Sequence, residues 1–329
     1  MSALAPTLQA FFTDRLARQR NASPRTIASY RDTFRLLLHF VQTEIGKAPS
    51  ALDWQDLDVP MISAFLDHLE TNRNNSSRTR NARLAAVRSL FRYGALRHPE
   101  HAALIQCVLA IPQKRFEKKI ISFLTPAEID VLLAAPDTTR WEGRRDRTLM
   151  LLAVQTGLRL SEIIGLKCAD ISFGTGAHVR CEGKGRKERC VPLTSSTVAV
   201  LKAWLLETQG RPDDPLFPTR TGRQLSPDAI ERRVATHAAV AARHVPSLVG
   251  KHLTPHVLRH TSAMQLLQAG VDSSVIALWL GHADSRSTQA YLHADLSIKE
   301  KALALTTPPS VKPGRYQPQD PILAFLESL

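Results

Sequence analysis

No run of apolar residues in this chain approaches the ~20 needed to cross a membrane. The opening stretch, MSALAPTLQAFF, also lacks the basic start, long apolar core and small-residue cleavage pattern of a secretory leader. A membrane protein is thereby excluded on the sequence, and a cytoplasmic location is expected. Cysteine is scarce: Cys107, Cys168, Cys181 and Cys190 show no CxxC spacing, which argues against a zinc ribbon and against a disulfide framework. Reduced thiols are expected. Cys181 and Cys190 flank a probable hairpin and could face each other, but two small buried residues is the preferred reading. No segment repeats at a fixed period.

Acidic residues are in deficit, 30 against 43 Lys plus Arg, and the net charge of +13 calls for a polyanionic partner: DNA, RNA or an anionic membrane surface. Neither a base-stacking aromatic motif nor a basic amphipathic membrane helix is present to favour the last two. The deficit is sharpest between Thr71 and Pro99, where Arg73, Arg78, Arg80, Arg83, Arg88, Arg92 and Arg97 occur without one Asp and with no Glu before Glu100. A solvated helix face usually mixes both signs. Arg78, Arg80, Arg83 and Arg88 are accordingly candidate DNA contacts.

What is present is mostly helical pattern. At 329 residues the length fits about two domains of ~100–200 residues. Leu8, Phe11, Phe12 and Leu16 recur at helical spacing from Thr7 to about Arg20, and Ser23-Pro24 offers a cap and a first-turn proline for a helix over 25–43. Val59-Pro60 opens a third helix through Leu69. Ser76-Ser77 precedes a fourth, with Leu84, Val87, Leu90 and Phe91 as its apolar positions. The predicted organisation is an all-helical unit over 1–111, a basic linker over 112–122, a second unit over 123–305 and a proline-rich tail over 306–329. The second unit starts on Thr125-Pro126 with Glu128 in the capping-box place. It carries a hairpin about Gly183-Lys184-Gly185-Arg186, so the fold class is mainly α with a small β-sheet in the second domain.

Five islands in that second unit carry titratable or basic groups. In TGLRLSE, Gly157 turns the chain and puts Arg159 at a helix start, where it could fork onto a phosphate or simply pair with a nearby carboxylate. In EGKGRKER, Lys184 lies on the hairpin turn, with Arg186 and Lys187 as rivals under a register shift of one or two residues. In LTPHVLRH, Thr254 caps a helix on which His256 and Arg259 share a face. His256 and His260 could instead hold zinc, but Val257 stands where HExxH has its glutamate. LGH ends a helix with Gly281 before His282, and STQAYLH contains Tyr291, which taken alone reads as packing.

Taken together, Arg159, Lys184, His256, Arg259, His282 and Tyr291 resemble, in order and spacing, the active-site set of the tyrosine recombinase (phage integrase) family. The phrases TGLRLSEI, EGKGRKER, TPHVLRHTSAMQLLQAG and LGHADSRSTQAYLH are similar to the family's, over about Phe123 to Ile298. The helical front half resembles its core-binding domain more loosely, and the two-domain layout is Xer-like or of the mobile-element integrase type. The resemblance implies a catalytic domain over 123–305 in which Tyr291 attacks a scissile phosphate, leaving a 3′-phosphotyrosyl link and a free 5′-hydroxyl. It implies that Arg159 and Arg259 clamp the phosphate, His282 adds a hydrogen bond, Lys184 protonates the leaving oxygen and His256 assists proton removal from Tyr291. It also implies no cofactor or metal, double-stranded DNA with a specific site as substrate, and a tetramer on paired sites. The tail is either a loose end or a short helix, with Ile322, Leu323, Phe325, Leu326 and Leu329, docking on a neighbouring subunit. A type IB topoisomerase-like enzyme and a noncatalytic DNA-binding regulator on the same fold are the alternatives.

Overall fold

The structure, a computed structural model, describes residues 4–116, 121–183, 188–281 and Tyr291. The chain divides into two compact units, Met1–Lys118 and Lys119–Leu329. Among the described residues no helix is long and apolar enough to cross a membrane.

In the first unit, α1 (Leu4–Ala10) runs on into a π-helical stretch, Phe11–Gln19, followed by α2 (Pro24–Ile45), α3 (Val59–Thr71), α4 (Ser77–Ala95) and α5 (Ala102–Ala110). The single helix expected over the first of these segments is wound more loosely because its anchors are Phe11 and Leu16, five residues apart and both buried, and the i→i+5 bonding of a π-helix brings such a pair to one side. The starts of the next three helices are locally encoded. Ser23, Asp58 and Ser76 each accept from a backbone N–H of the first turn, satisfying a donor that the helix itself leaves without a partner. Leu84, Val87, Leu90 and Phe91 of α4 are all buried in one core with Phe34, Leu37, Trp54, Phe65 and Leu69.

The four α4 arginines offered as candidate DNA contacts differ in their surroundings. Arg80 is 6% exposed and pairs with Glu70 at 3.4 Å, an enclosure that does not suit a phosphate contact. Arg83 donates to the Ser29 carbonyl and Thr33 Oγ1, and Arg88 donates to the Ile111 carbonyl. Arg78 is exposed, its guanidinium 5.3 Å from the Phe116 ring centre. The basic linker expected over 112–122 is tied down at its beginning. Asn81 and Lys114 exchange two hydrogen bonds, at 2.8 and 3.1 Å, and Lys114 Nζ reaches Glu70 at 2.5 Å. Its composition hid this, because every partner lies far earlier in the chain.

The second unit contains α6 (Pro126–Ala134), α7 (Trp141–Thr156), α8 (Leu160–Gly165), strands β1 (Ile171–Ser172), β2 (His178–Glu182) and β3 (Glu188–Pro192), then α9 (Ser195–Thr208), α10 (Pro227–Ala241), α11 (Pro255–Gln268) and α12 (Ser273–Leu280). The strands form one antiparallel sheet in the order β1-β2-β3. Strand β1, two residues long, is too short to show alternation and was not foreseen. Register pairs Cys181 with Arg189 and Arg180 with Cys190, so the cysteines do not face each other. Cys181 is buried and Cys190 exposed, which corrects the reading of both as buried, and all four thiols are free.

The capping box at Thr125 and Glu128 is formed. Glu128 is almost fully enclosed and is held below the ordinary carboxylate range: burial opposes its charge, but bonds from Lys251, Ser247 and the Thr125 N–H outweigh it. Helices α7 and α11 pack closely, and Thr261 of α11 accepts from the Leu124 N–H at 3.0 Å. This fixes α11 against the beginning of the unit and places its first turn beside the end of α7.

Candidate active site

Two glycine turns make the site. Gly157 ends α7 at φ +64° and Gly281 ends α12 at φ +63°, the left-handed conformation in which glycine is favoured. At Gly157 there is no room for a Cβ either: it would lie 2.6 Å from Leu280 Cδ2 and 2.9 Å from Ser262 Oγ. The end of α7, the face of α11 and the end of α12 therefore meet at van der Waals distance. Trp279 Nε1 adds a hydrogen bond to the Thr156 carbonyl at 3.0 Å.

Three arginines from three different elements converge on the last carbonyls of α12. Arg189 Nε donates to Trp279 O at 3.1 Å, Arg259 Nη2 to Leu280 O at 2.8 Å, and Arg159 Nη2 to Gly281 O at 2.6 Å. A helix C-terminus presents unpaired carbonyls and the negative end of the helix dipole, so cations are stabilised there. Arg159 sits just before α8, where its backbone N–H and its Nη1 both donate to Glu162. The expected carboxylate partner is thus present, without removing Arg159 from the site. Arg189 binds the same carboxylate through two parallel bonds of 2.9 and 2.8 Å. Burial by itself would raise the Glu162 carboxyl; the bonds from Arg189 and the Arg159 backbone, with their positive charge, hold it below the usual range.

Arg259 differs from the other two. It is 3% exposed, donates Nη1 to the Gly157 carbonyl at 2.6 Å, and among the described residues has no carboxylate in ion-pair contact. Burial first and the charge of Arg159 second lower its guanidinium to about 10. Among the described residues Glu162 is bound by two of the three guanidiniums, Arg159 and Arg189, leaving a cationic excess held in place by carbonyl oxygens.

Tyr291 is 2% exposed and packs with Ala263, Met264 and Leu267 of α11 and Ile276 and Leu280 of α12. Burial raises its phenol above the ordinary value, against the pull of the Arg259 and Arg159 charges. Its hydroxyl meets His260 Nδ1 at 3.0 Å. His256, expected to serve the tyrosine proton, lies one ring further along, its centroid 4.2 Å from that of His260. The protein mass around His256, then the charges of Arg259 and Arg159, hold its imidazole below the ordinary value. The residue itself is exposed, with both cations close by. The structure so brings together Arg159, His256, Arg259 and Tyr291; Lys184 and His282 lie outside the described residues, as does the tail over 306–329.

Arg189 and His260 escaped the sequence reading. For Arg189 a signal existed: it lies two residues from Val191 in β3, and strand alternation puts both on the face shared with Val179 and Cys181. His260 was weighed only as half of a zinc pair.

Comparison with known proteins fits this geometry. Residues 122–297 match the model of the phage integrase family, and residues 10–98 that of the phage integrase N-terminal SAM-like domain. A putative integrase/recombinase y4rC of Sinorhizobium fredii is 55% identical over 328 residues, covering 100% of this chain and 99% of that protein. The chain belongs to the phage integrase family of tyrosine recombinases. The tyrosine recombinase XerD of Pseudomonas putida is 32% identical over 300 residues, 89% of this recombinase and 94% of that one. In fold, it is similar to the XerH site-specific recombinase solved on a palindromic difH substrate, with a TM-score of 0.69 at 24% identity over 87% of this chain and 81% of that one. The mostly helical, two-unit fold with one small sheet and the site-specific recombinase function expected from the sequence are those of this family.

Proposed function

We propose that this recombinase cuts and rejoins double-stranded DNA at a specific site, with Tyr291 as nucleophile and a 3′-phosphotyrosyl link as intermediate. The observation that carries this reading is the cationic excess beside a buried tyrosine hydroxyl: Arg259, without an ion-paired carboxylate among the described residues, and Arg159 next to it. A phosphodiester brings the negative charge this pocket is short of, and guanidiniums fork well onto its two nonbridging oxygens. Because both guanidiniums are already fixed by carbonyls, they are preorganised for the charge that moves onto those oxygens during attack. On this reading His282 adds a further bond to the phosphate and Lys184 protonates the departing 5′-oxygen. Energy of the broken phosphodiester is retained in the tyrosyl ester, so the chemistry is isoenergetic in both directions. Four protomers on two paired sites are the proposed assembly, the first unit gripping the duplex through exposed arginines such as Arg78.

A nicked suicide duplex bearing the site, sought among short inverted repeats flanking the gene, tests this. Wild-type protein is expected to accumulate a denaturant-resistant covalent adduct. Tyr291→Phe is expected to bind the same DNA with the same affinity and form none. Adduct of undiminished yield in Tyr291→Phe overturns the assignment, and efficient relaxation of supercoils without any site favours topoisomerase action instead.

A further inference from the structure

Helix α11 presents His260, Ala263, Met264 and Leu267 along one side, the i, i+3, i+4, i+7 stripe of a helix face. The apolar part of that stripe cradles the Tyr291 ring, and its polar end, His260, meets the hydroxyl. The rings stand at 65° with centroids 5.4 Å apart, an edge arrangement and not a stack, with Nδ1 the ring atom at hydrogen-bond distance from the hydroxyl. A phenol this deeply buried keeps its proton at neutral pH, and attack on phosphorus requires that the proton leave.

We propose that His260 Nδ1 is the acceptor of the Tyr291 proton in strand cleavage, and its donor in rejoining. The step balances as follows: the phenolic oxygen bonds to phosphorus, the phenolic proton passes to Nδ1, the bond from phosphorus to the 5′-oxygen breaks, and the general acid protonates that oxygen. Rejoining reverses each transfer. The imidazole needed has Nδ1 unprotonated and Nε2 carrying hydrogen. His256, edge-on to His260, is the next ring along toward solvent. This inference rests on Tyr291 as the nucleophile.

Single-turnover adduct formation on the suicide duplex distinguishes the two roles. His260→Ala is expected to slow cleavage by about 100- to 1,000-fold, within the usual reach of a general base, with DNA affinity unchanged and with partial recovery on adding free imidazole. His260→Asn retains an oxygen that can accept the phenol's hydrogen bond but not its proton, and is expected to be comparably slow. With sulfur in place of the leaving 5′-oxygen the departing group needs no proton, so Lys184→Ala recovers while His260→Ala remains slow. Cleavage by His260→Asn within threefold of wild type, or a His260→Ala defect that sulfur substitution removes, overturns the proposal. Adduct formation by Tyr291→Phe would instead sink the nucleophile assignment beneath it, whatever His260 does.

Discussion

Replacing Gly157 by alanine tests whether the meeting of α7, α11 and α12 is what holds the arginines in place. Two costs are superposed. The left-handed backbone at φ +64° costs a Cβ-bearing residue about 1–2 kcal/mol. The added methyl also overlaps Leu280 Cδ2 and Ser262 Oγ, and forcing such atoms apart in a packed core costs a further ~1–3 kcal/mol. Gly270 separates them, since it belongs to the same unit, has φ +83° and has nothing within 4 Å of its would-be Cβ. Gly270→Ala is therefore expected to lose only the backbone share. In thermal unfolding followed through Trp141, Trp204 and Trp279, 1 kcal/mol corresponds to about 2–4 °C for a unit of this size. Gly157→Ala should fall by about 4–20 °C, and Gly270→Ala by about 2–8 °C. The methyl pushes Leu280 away, and with it the carbonyls that hold Arg259 and Arg159, so Gly157→Ala should lose cleavage activity at temperatures where it is still folded. Equal destabilisation by the two substitutions, with cleavage intact in both, would show that the contact at Gly157 does not organise the clamp.

Glu162→Gln leaves two guanidiniums sharing a neutral amide, and breaking a buried pair of this kind costs about 3–5 kcal/mol. Because the folded Glu162 carboxyl lies below its ordinary 4.5, its contribution is complete above that pH and is lost as pH falls through the folded value; acid unfolding of the Gln variant should lack that part of the pH dependence. Burial raises the Cys181 thiol to about 11, whereas Cys107 and Cys190 are exposed, so mass spectrometry after brief alkylation at pH 8 should find Cys107 and Cys190 modified and Cys181 intact. Arg78→Ala should lower the slope of log affinity against log salt by about 0.9, the loss of one phosphate contact, while Arg80→Met should leave that slope unchanged; the opposite result would return Arg80 to the DNA surface.

What the sequence disclosed was whatever is settled within a few residues. Ser23, Thr125 and Thr254 cap their own helices, and Gly157 and Gly281 end theirs, because the hydrogen bonds concerned span three or four positions. The short phrases that carry Arg159, His256, Arg259 and Tyr291 were equally legible. The supporting contacts were not, since they join distant segments: Arg189 reaches Trp279 across 90 residues, His260 reaches Tyr291 across 31, and Lys114 reaches Glu70 across 44. Arginine-rich composition alone also could not tell Arg78, exposed, from Arg80, enclosed two residues later, since that difference is set by which side of α4 meets the core.

The three carbonyls at the end of α12 have a mechanical consequence. Gly281 and Tyr291 are joined by ten peptide steps, so the carbonyls that hold the arginines and the tyrosine itself lie close together in the chain. Leu280 and Gly281, at the start of that piece of chain, carry the oxygens that hold Arg259 and Arg159. On the proposed role of Tyr291, a displacement at the end of α12 would reach the guanidiniums through Leu280 O and Gly281 O and the tyrosine through the covalent chain.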